Sequence, residues 1–227
     1  TGRGVIYVLN ELAKEMNIPV GEQTSIAIQG FGNVGSWVAQ FAHQEGYSIV
    51  AVSDIESGIY NSNGLNIPLL VEHLAKGVGI KSFKGGEVIT NEELLEVNTD
   101  ILIPAAIENT ITVNNIDRLR CKIIIEAANH PITPEADEEL QSRGVTVIPD
   151  ILANSGGVTV SYFEWTQNVQ QFQWDEIRIN TELQKRIKTA CRIVQDKVIK
   201  ENISYRDAAF QIGIAKVAEA VELRGFI

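Results

Sequence analysis

The chain has 227 residues and a formal net charge of −10 at pH 7, and 44% of its residues are hydrophobic. This length and composition predict a soluble globular protein with one large domain, or one domain and an appendage. The excess of acidic residues argues against a surface that binds nucleic acid or an anionic membrane. The sequence has no apolar run near 18 residues and no signal peptide, so a cytoplasmic location is expected.

The first part of the chain alternates between helical and extended patterns. An apolar helical stripe runs over 5–16, and short apolar runs at 26–28 and 49–52 predict two buried strands with a helix between them. A short helix is predicted at 68–76. Another begins after Thr90, which is a favourable N-cap residue.

Further strands are predicted at 100–104, 122–126 and 145–148. Thr133 and Pro134 begin the helix between the last two of them, as N-cap and first helical residue. Strands alternating with helices predict an α/β fold, a Rossmann-like doubly wound and mostly parallel sheet with helices on both faces.

The rest of the chain has a purely helical pattern. Apolar stripes predict helices at 158–172, 174–201 and 204–224. We therefore expect a Rossmann part over about 22–152 and a C-terminal helical segment over about 153–227.

The first strand is followed by glycines at G-x-G-x-x-G spacing. Gly30 permits a tight turn, Gly32 allows backbone to approach a pyrophosphate, and Gly35 allows close packing of helix and strand. The free N–H groups at the start of the following helix then face the phosphates. Asp54 ends the second strand about 20 residues later, where an acid binds the ribose hydroxyls. The pattern predicts a dinucleotide site.

The residues that follow the strands are expected to meet in one crevice. Ligands of parallel sheets bind beyond the carboxyl ends of the strands, and Ala105, Ala106, Asn129 and Asn154 follow strand ends. For the two alanines an ordinary role in a turn is an equal alternative.

No metal site is predicted. Cys121 and Cys191 lack metal or redox spacing and are expected to be reduced thiols, and the three histidines, His43, His73 and His130, are scattered.

Several separated motifs resemble one family over the whole chain. T-G-R-G-V, Q-G-F-G-N-V-G, I-L-I-P-A-A, E-A-A-N-H-P-I-T-P-E-A-D and N-S-G-G-V-T-V-S-Y-F-E-W-T-Q-N resemble, in this order, the nucleotide-binding domain of glutamate dehydrogenases. The resemblance implies oxidative deamination of L-glutamate to 2-oxoglutarate and ammonia, with NAD or NADP as hydride acceptor.

The resemblance also implies roles for individual residues. Gly30, Phe31, Gly32, Asn33 and Val34 match the pyrophosphate loop. The other matches are Asp54 for the ribose, Ala105 and Ala106 for the adenosine side, Asn129 and Asn154 for the nicotinamide and its ribose, and Thr1 for the carboxamide.

Two further residues match positions that touch the substrate side chain. Val158 and Ser161 are one helical turn apart, and the Ser161 hydroxyl could donate to the distal carboxylate of glutamate. The alternative for Ser161 is a hydrogen bond back to its own helix. The run S-Y-F-E-W, with Tyr162, Phe163 and Trp165, favours glutamate as the substrate over leucine, phenylalanine or valine. We nevertheless expect these aromatic residues to pack in the core.

The family's substrate domain, with its catalytic lysine and aspartate, is expected to precede T-G-R-G, a motif that normally joins two domains, and is absent here. We therefore expect no catalytic residue in this chain, which should bind dinucleotide but not turn over glutamate alone. The parent is expected to be a homo-hexamer.

NAD is favoured over NADP because Asp54 and Glu56 would repel a 2′-phosphate, and no arginine or lysine lies between Gly46 and Lys76. NADP stays possible. The alternatives for function are a leucine, phenylalanine or valine dehydrogenase domain and a non-catalytic nucleotide-sensing module.

Overall fold

Seven strands and nine α-helices make up the described part of the chain, residues 1–16 and 18–225 of a computed structural model. The strands are β1 (Ser25–Gln29), β2 (Ser48–Ser53), β3 (Gly58–Tyr60), β4 (Glu87–Ile89), β5 (Ile101–Pro104), β6 (Ile123–Ile125) and β7 (Thr146–Ile148). The helices are α1 (Gly2–Glu15), α2 (Asn33–Gln44), α3 (Ile67–Leu74), α4 (Asn91–Leu95), α5 (Pro134–Ser142), α6 (Asp150–Ala153), α7 (Gly156–Gln170), α8 (Glu176–Glu201) and α9 (Tyr205–Leu223).

The strands form one sheet in the order β4-β3-β2-β1-β5-β6-β7. From β2 to β7 across this order every pair is parallel, whereas β3 and β4 are antiparallel to their neighbours. The predicted Rossmann-like, mostly parallel α/β fold is therefore confirmed. Because β1 has β2 on one side and β5 on the other, the strand order reverses there, which is where such sheets bind ligands.

Alternate residues of the central strands enter two hydrophobic cores, one on each face of the sheet. In β1, Ile26 and Ile28 pack with α1, α2 and the C-terminal helices, whereas Ala27 packs on the opposite face. The second core is completed by α4 and α5, represented by Leu94 and Leu140. Both faces are covered, so the middle residues of the central strands are apolar on both faces.

The C-terminal helices pack on the first core, and α9 also contacts the edge strand β7. The buried stripe of α8, which includes Leu183, Ile187 and Cys191, contacts α1. α1 also crosses α7 at Gly4 and Gly156, where a Cβ added to either glycine would lie 2.9 Å from the other Cα. This close crossing brings Thr1 to the start of α7.

Several boundaries differ from the sequence prediction. β4 was not expected because it is short and mostly exposed, and α7 begins at Gly156 rather than at 158. Thr133 is the N-cap of α5, but its side chain makes no capping hydrogen bond. The predicted C-terminal segment 153–227 includes residues 226 and 227, which lie outside the described residues.

No helix in the described ranges combines the length and the apolar character needed to cross a membrane.

Candidate functional site

The turn between β1 and α2 is shaped by its glycines. Gly30 has φ +94°, and a Cβ there would lie 2.9 Å from the Cβ of Ala106. A Cβ on Gly35 would lie 1.8 Å from the Gly30 carbonyl oxygen, so no larger residue fits without a backbone shift. The Gly30 amide donates to Ser53 Oγ at 3.3 Å. These contacts hold the turn tightly against the ends of β1, β2 and β5.

The next amides have no acceptor within the described part of the chain. Gly32 is the N-cap of the 12-residue helix α2, and the N–H groups of Gly32, Asn33 and Val34 make no hydrogen bond there. Gly32 and Asn33 are exposed, and a Cβ added to Gly32 would meet nothing within 4 Å. Open donors at the positive end of a helix form a site for an anion.

Asp54 lies at the carboxyl end of β2, beside this turn. Its Oδ1 accepts hydrogen bonds from the amides of Glu56 at 2.8 Å and Ser57 at 3.0 Å, and its Oδ2 accepts from Ile80 at 3.3 Å. The carboxylate therefore also anchors two loops. Since Oδ2 accepts only this one long bond from the described residues, it keeps capacity for a ribose hydroxyl.

The segments after β5 and β6 are held to their neighbouring strands. The Ala105 amide donates to the Gln29 carbonyl at 2.8 Å. The amides of Ala127 and Ala128 both donate to the Pro104 carbonyl, at 3.0 and 2.8 Å. Because Ala106 packs against Gly30, small residues are needed at this position for the strand ends to converge.

Two asparagines form the side of the site opposite the glycine turn. Asn154 is the C-cap of α6, and its Nδ2 donates to Asn129 Oδ1 at 2.7 Å. The same Nδ2 lies 3.5 Å from the carbonyl oxygens of Ala127 and Ala128. The loop after β6 and the end of α6 thus meet through side chains.

These segments enclose an open cleft of about 570 Å³. Its lining includes eight predicted site residues: Thr1, Val34, Ala105, Ala106, Asn129, Asn154, Val158 and Ser161. The remaining predicted residues, Gly30, Phe31, Gly32, Asn33, Gly35 and Asp54, form the adjoining turn and the end of β2.

The sequence prediction did not include three residues that line the cleft: Ala127, Ala128 and Gly157. The two alanines directly precede Asn129, and a Cβ on Gly157 would lie 2.3 Å from Thr1 Oγ1. Ser53, which caps the Gly30 amide, was also missed, although its place just before Asp54 could have indicated it.

The far end of the cleft lies on α7. Ser161 is exposed, and its hydroxyl has no hydrogen-bond partner among the described residues, unlike Thr159, whose hydroxyl donates to the Ser155 carbonyl at 2.9 Å. The alternative of a hydrogen bond back to the helix does not hold for Ser161. Val158 is 70% exposed, so both side chains are available to a ligand.

The aromatic residues of α7 have different environments. Phe163 is buried, which confirms the expected core packing. The same prediction is wrong for Tyr162 and Trp165, which are 54% and 59% exposed. Their rings lie on the outer side of α7 and contact each other, with centroids 5.7 Å apart.

The two cysteines do not line the cleft. Cys121 and Cys191 are free and buried, and burial raises the pKa of their thiols to about 11 and about 12. Both are therefore protonated near neutral pH. Within residues 1–16 and 18–225, no three His, Cys, Asp or Glu side chains group as metal ligands.

A parallel sheet whose order reverses at a glycine turn, with open amides facing a cleft, defines the Rossmann-like class of α/β domains. The sequence profile of the Glutamate/Leucine/Phenylalanine/Valine dehydrogenase family matches residues 1–225. The chain is 46% identical over 226 residues to a glutamate dehydrogenase of Thermotoga maritima, covering 99% of this chain and 54% of that protein. The chain belongs to this dehydrogenase family.

Solved structures agree with the assignment. Glutamate dehydrogenase from Peptoniphilus asaccharolyticus matches with a TM-score of 0.84 and 32% identity, over 100% of this chain and 53% of that one. The hetero-hexameric glutamate dehydrogenase from Thermus thermophilus matches with a TM-score of 0.91 and 28% identity, over 99% and 53%. This chain spans about half the length of these relatives.

Proposed function

We propose that this chain is the dinucleotide-binding domain of a glutamate dehydrogenase. The whole enzyme would convert L-glutamate, NAD(P) and water to 2-oxoglutarate, ammonia and NAD(P)H. The 46% identity to a glutamate dehydrogenase supports glutamate over the other amino acids that the family name includes. We assign residues 1–227 to this domain, with the Rossmann part over about 22–152 and the C-terminal helices after it.

One observation carries the proposal. The amides of Gly32, Asn33 and Val34 are unpaired within the described residues, and they lie at the start of α2 where the strand order reverses. With a formal charge of −10, the chain needs such local donors to hold a diphosphate. Asp54, one strand away, would accept from the adenosine ribose.

The other end of the cleft would bind the reacting groups. Asn129, Asn154 and Thr1 would orient the nicotinamide and its ribose, and bound NAD(P) would accept hydride from C2 of glutamate. Val158 would pack on the substrate side chain, and the Ser161 hydroxyl would donate to its distal carboxylate. Proximity of the two reactants is what this half of the enzyme contributes.

Proton transfer would come from elsewhere in the enzyme. No lysine lines the cleft within the described ranges, and a lysine able to polarise the carbonyl must be desolvated beside the substrate. We propose that the chain alone binds dinucleotide without oxidising glutamate, and that the whole enzyme is a hexamer. Glutamate-dependent formation of NADH by the isolated chain would contradict the first part, and light scattering of the whole enzyme tests the second.

NADH titration with Gly32→Ala tests the binding site. The added methyl group enters open space in the unliganded chain, so folding should be unchanged, but it occupies the path of the pyrophosphate. We expect the Kd for NADH to rise by about tenfold. Gly213→Ala in α9 is the matched control, since its Cβ makes only an ordinary 3.7 Å contact with Ile151. Equal NADH affinity of the two variants would refute the assignment.

We propose NAD rather than NADP as the cofactor because Asp54 and Glu56 lie where a 2′-phosphate would be bound. The fold brings close to Asp54 a positively charged side chain that lies outside the range between Gly46 and Lys76. Ile80 donates to Asp54, so the neighbouring Lys81 lies close to this region and lines a groove with Glu56. Titration with both dinucleotides decides the matter, and tighter binding of NADP would overturn the choice of NAD.

A further inference from the structure

The carboxylate of Glu126 is fully buried at the end of β6 and is held by a residue far along the chain. Arg206, in the first turn of α9, donates from Nη1 to Oε2 at 3.1 Å and from Nη2 to Oε1 at 2.7 Å. The Asp150 amide also donates to Oε2, at 2.8 Å. A buried carboxylate with two guanidinium bonds and one amide bond has a fixed orientation.

A second link leads from Asp150 to the loop beside the cleft. Asp150 is the first residue of α6, and its Oδ2 accepts from the His130 amide at 2.8 Å. His130 has φ +48°, a conformation that costs energy for a residue with a side chain. The Asp150 carboxylate therefore stabilises a backbone conformation that the loop would not adopt unaided.

The third link reaches the cleft itself. Asn129 directly precedes His130, and Asn154 ends the short helix that Asp150 begins. The hydrogen bond between the two asparagine side chains forms only if both segments are in place. The guanidinium of Arg206 is thus connected to both asparagines through Glu126 and Asp150.

We propose that Arg206 is a positioning residue for the nicotinamide side of the cleft, acting through Glu126 and Asp150 without touching the ligand. This inference rests on the proposed function. Arg206 also binds Asp137 of α5, through Nε to Oδ2 at 3.0 Å and Nη2 to Oδ1 at 3.2 Å. Such a two-sided fork requires a planar guanidinium, which lysine cannot replace.

The glycine turn has no part in this network. Among the described residues, its side-chain hydrogen bonds run from the Gly30 amide to Ser53 Oγ in β2 and from Ser36 Oγ in α2 to the Gly32 carbonyl, and neither involves β6. A ligand that contacts only the glycine turn, Asp54 and the two alanines after β5 should therefore be insensitive to Arg206. ADP would be such a ligand, whereas NADH would also reach the asparagines.

The test compares NADH and ADP affinities of wild type, Arg206→Lys and Ser204→Ala. For Arg206→Lys we expect the Kd for NADH to rise by about tenfold and the Kd for ADP to change by less than about twofold. Ser204→Ala is the control: it removes the N-cap bond to the Asp207 amide at the start of α9 but leaves the guanidinium in place. Both affinities should be unchanged in that variant.

Equal weakening of both ligands by Arg206→Lys, or weakening of neither, would overturn the inference. In case Arg206→Lys does not fold, Asp150→Ala offers a second variant, which removes the carboxylate that accepts from the His130 and Ile151 amides but leaves Arg206 bound to Glu126. It should show the same selective loss of NADH, and normal NADH binding would equally overturn the inference.

Amide hydrogen exchange without ligand separates this inference from the proposed function. In Arg206→Lys the amides of Asp150 and His130 should exchange about tenfold faster than in wild type, while those of β1 are unchanged. If the wild type bound neither NADH nor ADP, the proposed function would fail, and unchanged exchange at these two amides would separately refute the positioning role.

Discussion

The two ends of the cleft are built in different ways. The end at the glycine turn consists of backbone from one continuous stretch, with open amides and two glycines, Gly30 and Gly35, that no larger residue can replace without a backbone shift. The asparagine end consists of side chains on two segments, and its geometry depends on a guanidinium 80 residues beyond Glu126. Substitutions should therefore act locally at the first end and through long-range contacts at the second.

The difference follows from what each end has to recognise. A diphosphate is bound by any set of well-placed N–H groups, which a tight turn before a helix supplies. A nicotinamide ring must be oriented toward a substrate, and this needs side chains whose rotamers are fixed by their surroundings. A buried ion pair is an expensive way to fix them, because its desolvation offsets much of its attraction.

The largest expected effect is that of Glu126→Leu. The substitution leaves the Asp150 amide without its acceptor and removes one of the two carboxylates that neutralise Arg206. Removing one partner of a buried ion pair should lower the free energy of unfolding by about 3 kcal/mol. Urea denaturation measures this.

The matched control is Arg118→Ala, which breaks the exposed ion pair with Glu96. That variant should change the stability by less than about 0.5 kcal/mol. Similar losses of stability in the two variants would show that the buried network contributes no more than an exposed ion pair.

Gly35→Ala tests the other end. Its Cβ would lie 1.8 Å from the Gly30 carbonyl oxygen, so α2 and the turn must move apart. We expect a loss of about 2 kcal/mol of stability, together with weaker binding of both ADP and NADH. Titration of both ligands shows whether this end responds differently from the asparagine end, and selective loss of NADH alone would contradict the comparison.

The glycine end was predictable from the sequence because its signals are local. The three glycines fall within six consecutive residues, and apolar runs before and after them indicate the flanking strands. The spacing could not show that Asp54 also binds the Ile80 amide, because that contact depends on how the loop after α3 returns to the sheet.

The asparagine end was predictable only in part. Asn129 follows β6 as predicted, whereas Asn154 follows the short helix α6, which was not predicted, rather than a strand end. Nothing in the helical pattern after 153 indicated that Arg206 binds carboxylates 69 and 80 residues earlier, since an arginine near a helix start usually faces solvent. Likewise, the apolar character of Tyr162 and Trp165 suggested burial, but a helix face can be apolar without being covered.

Ser161→Ala is expected to have a smaller effect, confined to the substrate. In the whole enzyme, kcat/KM for glutamate should fall by about tenfold, since a hydrogen bond to a charged group is lost. The value for norvaline, which has no distal carboxylate, should change by less than about twofold. Thr159→Ala is the control because that hydroxyl already donates to its own helix. Equal losses for both substrates would rule out the assigned contact.

The smallest effect concerns an ion pair at the amino-terminal end of the central strand β5, opposite the cleft. Asp100 precedes β5 and accepts from the Ser25 amide at 3.0 Å, the Ser25 hydroxyl at 2.9 Å and Lys122 Nζ at 2.8 Å. Partial burial raises the pKa of this carboxyl, but the hydrogen bonds from Lys122 and Ser25 outweigh it and hold the pKa below the usual value.

A lowered pKa means that the unfolded chain binds this proton more readily than the folded one, so the stabilisation is complete above the unfolded pKa and is lost as pH falls through the folded pKa. Asp100→Asn should therefore flatten the loss of stability as the pH falls below about 4, as urea denaturation at several pH values would show. NADH affinity at pH 7 should be the same as in wild type, because Asp100 lies at the amino-terminal ends of the strands, away from the cleft. A clear change in that affinity would mean that the amino-terminal and carboxyl ends of the strands are coupled. The asparagine end would then depend on more than Arg206 and its partners.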